Sequence, residues 1–386
     1  MARSVVICGA GIAGLSLAHE LVRHRWDVTI VERAPGPREQ GYMMDFFGPG
    51  YVAAERMGIL DRLRELSYDV KALAYVDHRG RTRAGLSYAK FSQALDGRLL
   101  SIMRPDLERA LRAAVGSGAD IRYGRTVSGF SEEGDGVAVE LDDGSRRHVD
   151  LLVGADGIHS RIRSLLLGTN QLRYLGLHTA AFIFSDPAVH AALGSRFVMT
   201  DTVDRVIGLY GLREGRVAAF AAHTSAEQAL PDDPRAALLD RYAGLGWVIP
   251  HALEQCPPND ELYYDQVAQV ELPRWHRGHV ALLGDSCQAV SLLAGQGASL
   301  AVAGAHLLAG HLASAPSVPV ALARYERQWR PVVTARQEAS RRGAEWFLPL
   351  SQARRRQRLL MLRLMNLPGL NRLLAGGLVG RTRLRT

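Results

Sequence analysis

Residues 4–33, SVVICGAGIAGLSLAHELVRHRWDVTIVER, read as a short apolar strand, a glycine turn, a helix with apolar residues at helical spacing, and a second strand at Val28–Val31. This is a complete β-α-β unit, which makes the N-terminal region α/β and Rossmann-like. Gly9, Gly11 and Gly14 form G-x-G-x-x-G between strand and helix. The first glycine allows the tight turn, the second lets a pyrophosphate approach the backbone, and the third lets helix and strand pack closely. Free N–H groups near Ile12 and Ala13 then face the phosphates. Glu32, followed by Arg33, closes the second strand where a carboxylate accepts hydrogen bonds from a ribose diol. An acidic residue there favours an unphosphorylated ribose, so the bound dinucleotide is FAD or NAD rather than NADP.

The 386 residues, 47% hydrophobic and 22% charged, exclude a disordered chain and leave room for two lobes. A net charge of +8 suits nucleic acid or an acidic membrane, but of 47 basic residues only Lys71 and Lys90 are lysines. The arginine excess reads as GC-rich codon usage rather than a selected patch, and no nucleic-acid partner is expected. Cys8, Cys256 and Cys287 are widely spaced without C-x-x-C, which indicates neither a disulfide framework nor a zinc site. The strand begins within four residues of Met1, and no apolar run approaches the length of a membrane span. A reduced, cytoplasmic setting is the expectation.

Further along, a helix is expected around 51–66, strand-like segments at 73–90, and an amphipathic helix at RPDLERALRAAV, 104–115. Residues 119–153 read as a meander with turns at EEGDG and DDGSR, and 171–268 alternate runs such as FIFS, RFVMT and RVAAFAAH with turns. The latter predict an antiparallel sheet and a second lobe. HVALLGD at 279–285 reads as a strand, followed by a small-residue helix through Ala309 and a helical tail. At 352–374 the tail sets Leu and Met on one face and Arg on the other. It either packs on the body with a solvated Arg face or makes a peripheral membrane contact.

DLLVGADGIHSRIR at 150–163 is a strand running into Asp156–Gly157, and a Gly-Asp pair stands at 284–285. In the order GxGxxG, arginine-helix, DG, sheet lobe, GD, the chain to about residue 340 resembles the para-hydroxybenzoate hydroxylase-like (class A) FAD-dependent monooxygenases. It looks similar to the tetracycline-inactivating monooxygenases and natural-product tailoring flavoenzymes among them. The resemblance implies FAD as the resident dinucleotide, with Asp285 on its ribityl chain and Arg104 on its flavin side. It further implies that the Asp156 segment serves pyrophosphate and nicotinamide cofactor together, and that Arg38 lies near the cofactor. In LLAGQGASL, Gly295, Gln296, Gly297 and Ala298 open a helix toward the flavin ring. The implied division is an FAD-binding domain at 1–72, 98–170 and 269–340, an inserted antiparallel substrate domain at 73–97 and 171–268, and a basic helical tail at 341–386.

The implied activity is hydroxylation or epoxidation through a flavin C4a-hydroperoxide, with NADPH or NADH as a transient reductant, since the chain has no second dinucleotide fingerprint. No catalytic side chain is assigned. Two departures stand out: Gln288 where the family has a histidine, and Ser291–Leu292 in the region of a family proline. They admit an alternative in which the bound FAD accompanies a non-redox cyclisation of a polyketide polyene. A second alternative, a flavin-dependent reductase of lipid-like substrates, follows from the tail. GWVIP at 246–250 echoes a halogenase element only partly, with Leu245 in place of its first Trp. YMMDFFGPGY and the aromatic strands suit a bulky, largely apolar polyketide or terpenoid, with Asp45, Phe47, Tyr210 and Leu292 as candidate contacts.

Overall fold

The structure, a computed structural model, describes residues 2–37, 39–168, 171–291 and 295–365, apart from the side chains of 344, 345 and 365. Arg38, Leu292 and the end of the basic tail lie outside the described residues.

The dinucleotide unit forms as its pattern predicts. Strand Ser4–Cys8 runs through a turn into helix Ile12–Arg23 and out to strand Asp27–Glu32. These strands belong to a six-stranded sheet ordered His276–Arg277, Val280–Leu282, Leu151–Gly154, Ser4–Cys8, Asp27–Glu32, Ala119–Tyr123. All its pairings are parallel except the first. Leu151–Gly154 is buried throughout, as a parallel strand covered on both faces should be. Parallel strands end on the same side, so Cys8, Glu32, Gly154 and Leu282 deliver their loops to one edge of the sheet. That is where open α/β sheets bind ligands.

A meander, Val127–Glu133, Gly136–Leu141 and Arg146–Val149, adds a second small sheet. The larger lobe is a seven-stranded sheet ordered Tyr263–Val270, Leu172–Ser185, Arg216–Thr224, Arg205–Gly211, Arg196–Thr200, Ala72–Val76, Thr82–Ser87. It is antiparallel except where Arg196–Thr200 meets Ala72–Val76 in parallel. A two-stranded ribbon, Met43–Phe47 with Leu99–Met103, stands between the lobes.

Helix Gly297–Ser314, with largely small residues, packs against Ile12–Arg23 and runs past Ala309 to Ser314. Helices Val318–Phe347 and Gln352–Met365 follow. The tail departs from a simple solvated arginine face. Leu359 and Leu362 are buried, and so is Arg358, which donates to Asp201 at 3.0 Å and lies 4.1 Å over the Tyr75 ring. Its apolar face and one of its arginines are therefore committed to the sheet lobe over 352–365. Among the described residues no helix is long and apolar enough to cross a membrane, and no group of three or more His, Cys, Asp or Glu is placed to hold a metal ion.

Candidate active site

The three signature motifs touch one another at the carboxyl edge of the parallel sheet. Gly9 has φ +112°, and a methyl in place of its hydrogen would lie 2.3 Å from the Ala155 carbonyl oxygen. Only glycine fits where the first turn meets the Asp156 segment. A methyl on Gly284 would lie 2.5 Å from the Cβ of Ala13, so the third motif presses on the first helix just as closely. Gly11 differs: its nearest neighbours on that side are Glu108 Oε1 at 3.7 Å and Arg104 Nη2 at 3.9 Å. The second glycine faces room bounded by a guanidinium, as the close approach of a pyrophosphate requires.

Glu32 turns its carboxylate back onto the turn, accepting the N–H of Ala10 and of Ala34 at 2.9 Å each. Each oxygen keeps a lone pair for a ribose hydroxyl. Arg33 is exposed beside it. Asp156 accepts the Ser160 hydroxyl at 2.6 Å and the N–H groups of Arg161 and Ile162 at 2.7 and 3.1 Å. Burial pushes its pKa up, against the pull of these donors. Its first duty is thus to shape its own loop. Arg163, fully buried, donates to the Ser286 carbonyl at 3.0 Å and the Ile158 carbonyl at 2.6 Å, tying that loop to the Gly284–Asp285 turn. Its only sequence signal is its place at the end of DLLVGADGIHSRIR, where it looks no different from Arg161.

Asp285 opens a one-turn helix, Asp285–Gln288, and stays solvent-accessible while protein surrounds it closely enough for burial to raise its pKa. Arg104, whose charge opposes that rise, pairs with Glu108 at 2.7 Å; burial pulls its guanidinium pKa down, but Glu108 together with Tyr42, Tyr263 and Asp285 holds it above its ordinary value. Among the described residues the Asp285 carboxylate makes no hydrogen bond. A methyl on Gly297 would lie 3.6 Å from its Oδ1, so the start of helix Gly297–Ser314 stands next to it. That helix and Ile12–Arg23 have no side-chain cap and no acidic residue in the first turn. An open carboxylate, an arginine and two uncapped helix starts at one sheet edge fit FAD. With FAD bound, Asp285 would be placed for the ribityl hydroxyls, the glycine turn for the phosphates, Arg104 for the flavin side and Gln296–Ala298 for the ring.

Within the altered stretch Ser286–Leu292, the described residues 286–291 turn inward rather than toward the cleft. Gln288 is buried in the core, hydrogen-bonded to the Tyr325 hydroxyl and accepting the Trp329 indole N–H at 3.1 Å. Its neighbours are clamped by two buried glutamines. Gln269 donates to the Val290 carbonyl at 2.9 Å, and Gln337 to the Ala289 carbonyl at 3.0 Å. Ser291 follows, buried, at φ +99°.

Between the lobes, Tyr42 packs on Phe220 and Tyr263, each with ring centroids 5.8 Å away, and Phe220 packs on Phe347 at 6.3 Å. Tyr42 and Tyr263 are close enough to Arg104 and Asp285 for those charges to bear on their phenols, whose pKa values burial raises. This aromatic wall joins the ribbon, the large sheet and the long helix. The sequence shows Tyr42 only within YMMDFFGPGY and Phe220 only within RVAAFAAH; that the four rings meet is not legible there, since they come from separate segments. Tyr210 lies beneath the ribbon, buried, its hydroxyl accepting the N–H of Met43. Phe47 is half-buried, and its carbonyl accepts the Ser299 hydroxyl at 2.5 Å. Asp45 accepts the Ser101 and Tyr88 hydroxyls at 2.8 and 3.0 Å. Trp247, at φ +59°, covers Gly80 in the sheet lobe.

Comparison with known proteins shows the family and the fold. The sequence profile described as FAD binding domain matches residues 2–340. The chain is 32% identical over 384 residues to the flavin-dependent monooxygenase eupH of Phoma sp, covering 90% of this chain and 88% of that protein. Among solved structures, tetracycline destructase Tet(55) superposes with a TM-score of 0.80 at 26% identity, covering 94% of this chain and 96% of that one. Klebsiella pneumoniae HpxO complexed with FAD and uric acid superposes with a TM-score of 0.79 at 26% identity, covering 94% and 93%.

Proposed function

The chain belongs to the FAD binding domain family as an FAD-dependent oxidoreductase, and from there we propose a monooxygenase that places one atom of O2 on a bulky, largely apolar small molecule such as a polyketide or terpenoid. The balance is substrate, O2, NAD(P)H and a proton giving oxygenated substrate, NAD(P)+ and water. FAD, when bound, supplies the exchange of a hydride and electrons between nicotinamide, oxygen and substrate.

The observation that carries the reading is the meeting of Gly11, Arg104, Asp285 and the uncapped Gly297 helix start at one sheet edge, facing an aromatic wall. The polar groups hold the dinucleotide. The helix start favours negative charge on the ring beside it by roughly 0.3–2 kcal/mol. Tyr42, Phe220, Tyr263 and Phe347 keep water from the reacting face, which protects reactive species from wasteful decay. The cyclase alternative drew on the altered segment, and the burial of Gln288 in the core removes part of that motive.

The test is anaerobic stopped-flow reduction of the holo-protein by NADH and NADPH, with and without candidate apolar substrates, followed by 18O2 and mass analysis of the product. Substrate-accelerated flavin reduction and one 18O atom per product are expected. Product formed with oxidised flavin in the absence of reductant and O2 would overturn the proposal in favour of the cyclase.

A further inference from the structure

Resting on the reading of this cleft as the place where a small molecule meets the flavin, we propose that the ribbon strand Met43–Phe47 carries a cation subsite. There the Asp45 carboxylate, with the rings of Phe47, Tyr88 and Phe91 about it, receives a protonated amine of the substrate.

The strand's position comes first. At one end the Tyr42 carbonyl accepts the backbone N–H of Arg104 at 3.0 Å; at the other the Phe47 carbonyl accepts the Ser299 hydroxyl. The strand thus spans from the arginine of the cofactor site to the helix start at Gly297. Met44 and Phe46 are buried in the core of the dinucleotide domain, so Met43, Asp45 and Phe47 present the opposite face, toward the sheet lobe.

The half-buried Glu32 and Asp156 are held largely by backbone N–H groups, and the buried Glu20, Asp106, Glu108 and Asp201 each have an arginine or histidine partner. Asp45 has none among the described residues. Its hydrogen bonds come from two neutral hydroxyls, Ser101 directly across the ribbon and Tyr88 from the sheet lobe. Neutral donors orient a carboxylate without cancelling its charge, so the cost of withdrawing it from water stays uncompensated until a cation arrives. Two donors also leave acceptor capacity on both oxygens.

The aromatic side chains supply the rest of an ammonium site. Phe91 stands edge-on to Phe47 at 6.0 Å and to Tyr88 at 6.2 Å, and Tyr88 is the ring that binds Asp45. Ring faces attract alkylammonium groups, and the attraction grows as water is excluded. The substrate class narrows accordingly, from a bulky apolar molecule to one that also bears a basic nitrogen.

Equilibrium binding tests this without turnover, so its failure is separate from failure of the monooxygenase reading. Oxidised holo-protein is titrated with 2-(dimethylaminomethyl)naphthalene and with its carbon isostere 2-isobutylnaphthalene, followed by flavin absorbance and by calorimetry. The wild type should bind the amine at least tenfold more tightly than the isostere, and Asp45→Asn should bring the two to near equality while retaining FAD. Phe91→Leu, half-buried on a short helix with no fully buried residue, should weaken the amine several-fold and leave the isostere unchanged; it decides the matter if Asp45→Asn does not fold. An amine preference equal in wild type and Asp45→Asn, an isostere bound as tightly as the amine, equal loss of both in Phe91→Leu, or no binding of either at millimolar concentration each overturns the proposal.

Discussion

The buried guanidinium of Arg163 donates to the carbonyl of Ser286, next to Asp285, so that the Asp156 loop and the Gly284–Asp285 turn are held as one piece. Replacing Arg163 by Ala leaves the Ser286 and Ile158 carbonyls without this donor, at about 1–3 kcal/mol for each group stranded in the interior. Arg163→Ala should lower the thermal midpoint and purify with less than half the wild-type FAD. Arg163→Lys should recover little, because one ammonium does not reproduce the fork that reaches both carbonyls. Visible absorbance after gel filtration and a melting scan check this; full flavin occupancy in both variants would refute it.

Asp285 should behave in the opposite way. It is solvent-accessible and makes no hydrogen bond among the described residues, so Asp285→Asn should leave the melting of apo-protein unchanged within error. FAD affinity should fall about ten- to a hundredfold, the scale of a lost charge-assisted hydrogen bond or two. Fluorescence titration of apo-protein with FAD measures it, and unchanged affinity would remove Asp285 from the site.

Gln288 should prove to be a core residue. Gln288→Leu strands the Trp329 indole and the Tyr325 hydroxyl and should cost about 2–4 kcal/mol in urea unfolding. The rate of flavin reduction should stay within twofold of wild type. A large change in flavin kinetics with unaltered stability would show that the side chain reaches the cleft after all.

The Arg358–Asp201 pair predicts how the tail is held. Arg358→Met should cost about 3–5 kcal/mol, because it leaves Asp201 buried with only the more distant Arg355 at 3.8 Å. Asp201→Asn with Arg358→Met should recover much of that loss. A double variant as unstable as the single one would contradict the pairing.

One contact between the lobes is pH-dependent. The Asp265 carboxylate, 3.0 Å from His159 Nε2, holds that imidazole pKa above its ordinary value. A pKa raised by folding means that the pair stabilises fully below the unfolded pKa, near 6.5, and that the stabilisation fades as pH rises through the raised value. The melting difference between wild type and Asp265→Asn should therefore be largest on the acid side and shrink toward pH 8. A difference that grows with pH would reverse the assignment.

Local pattern alone determined the dinucleotide unit. Gly9, Gly11, Gly14 and Glu32 lie within one β-α-β segment, where spacing along the chain is also spacing in the fold. Asp156 and Asp285 were legible only through the order of motifs that resembles the family's; the fold adds that both follow apolar strands of one parallel sheet, whose ends lie at one edge. What only the tertiary structure decided depends on which side chains from distant elements meet. The segment that begins at Asp285 sends Gln288 into the core, because Tyr325 and Trp329 on another helix offer it hydrogen bonds there. The arginines of the tail look alike in sequence, yet Arg358 is buried and its neighbours are not, since Asp201 waits on the sheet lobe at that one turn. Asp45 is a strand residue like any other until Ser101 and Tyr88 arrive from two different elements without a cation among them. Periodicity records which face of an element turns inward; it carries no record of the partner found there, because that contact is made between segments far apart in the chain.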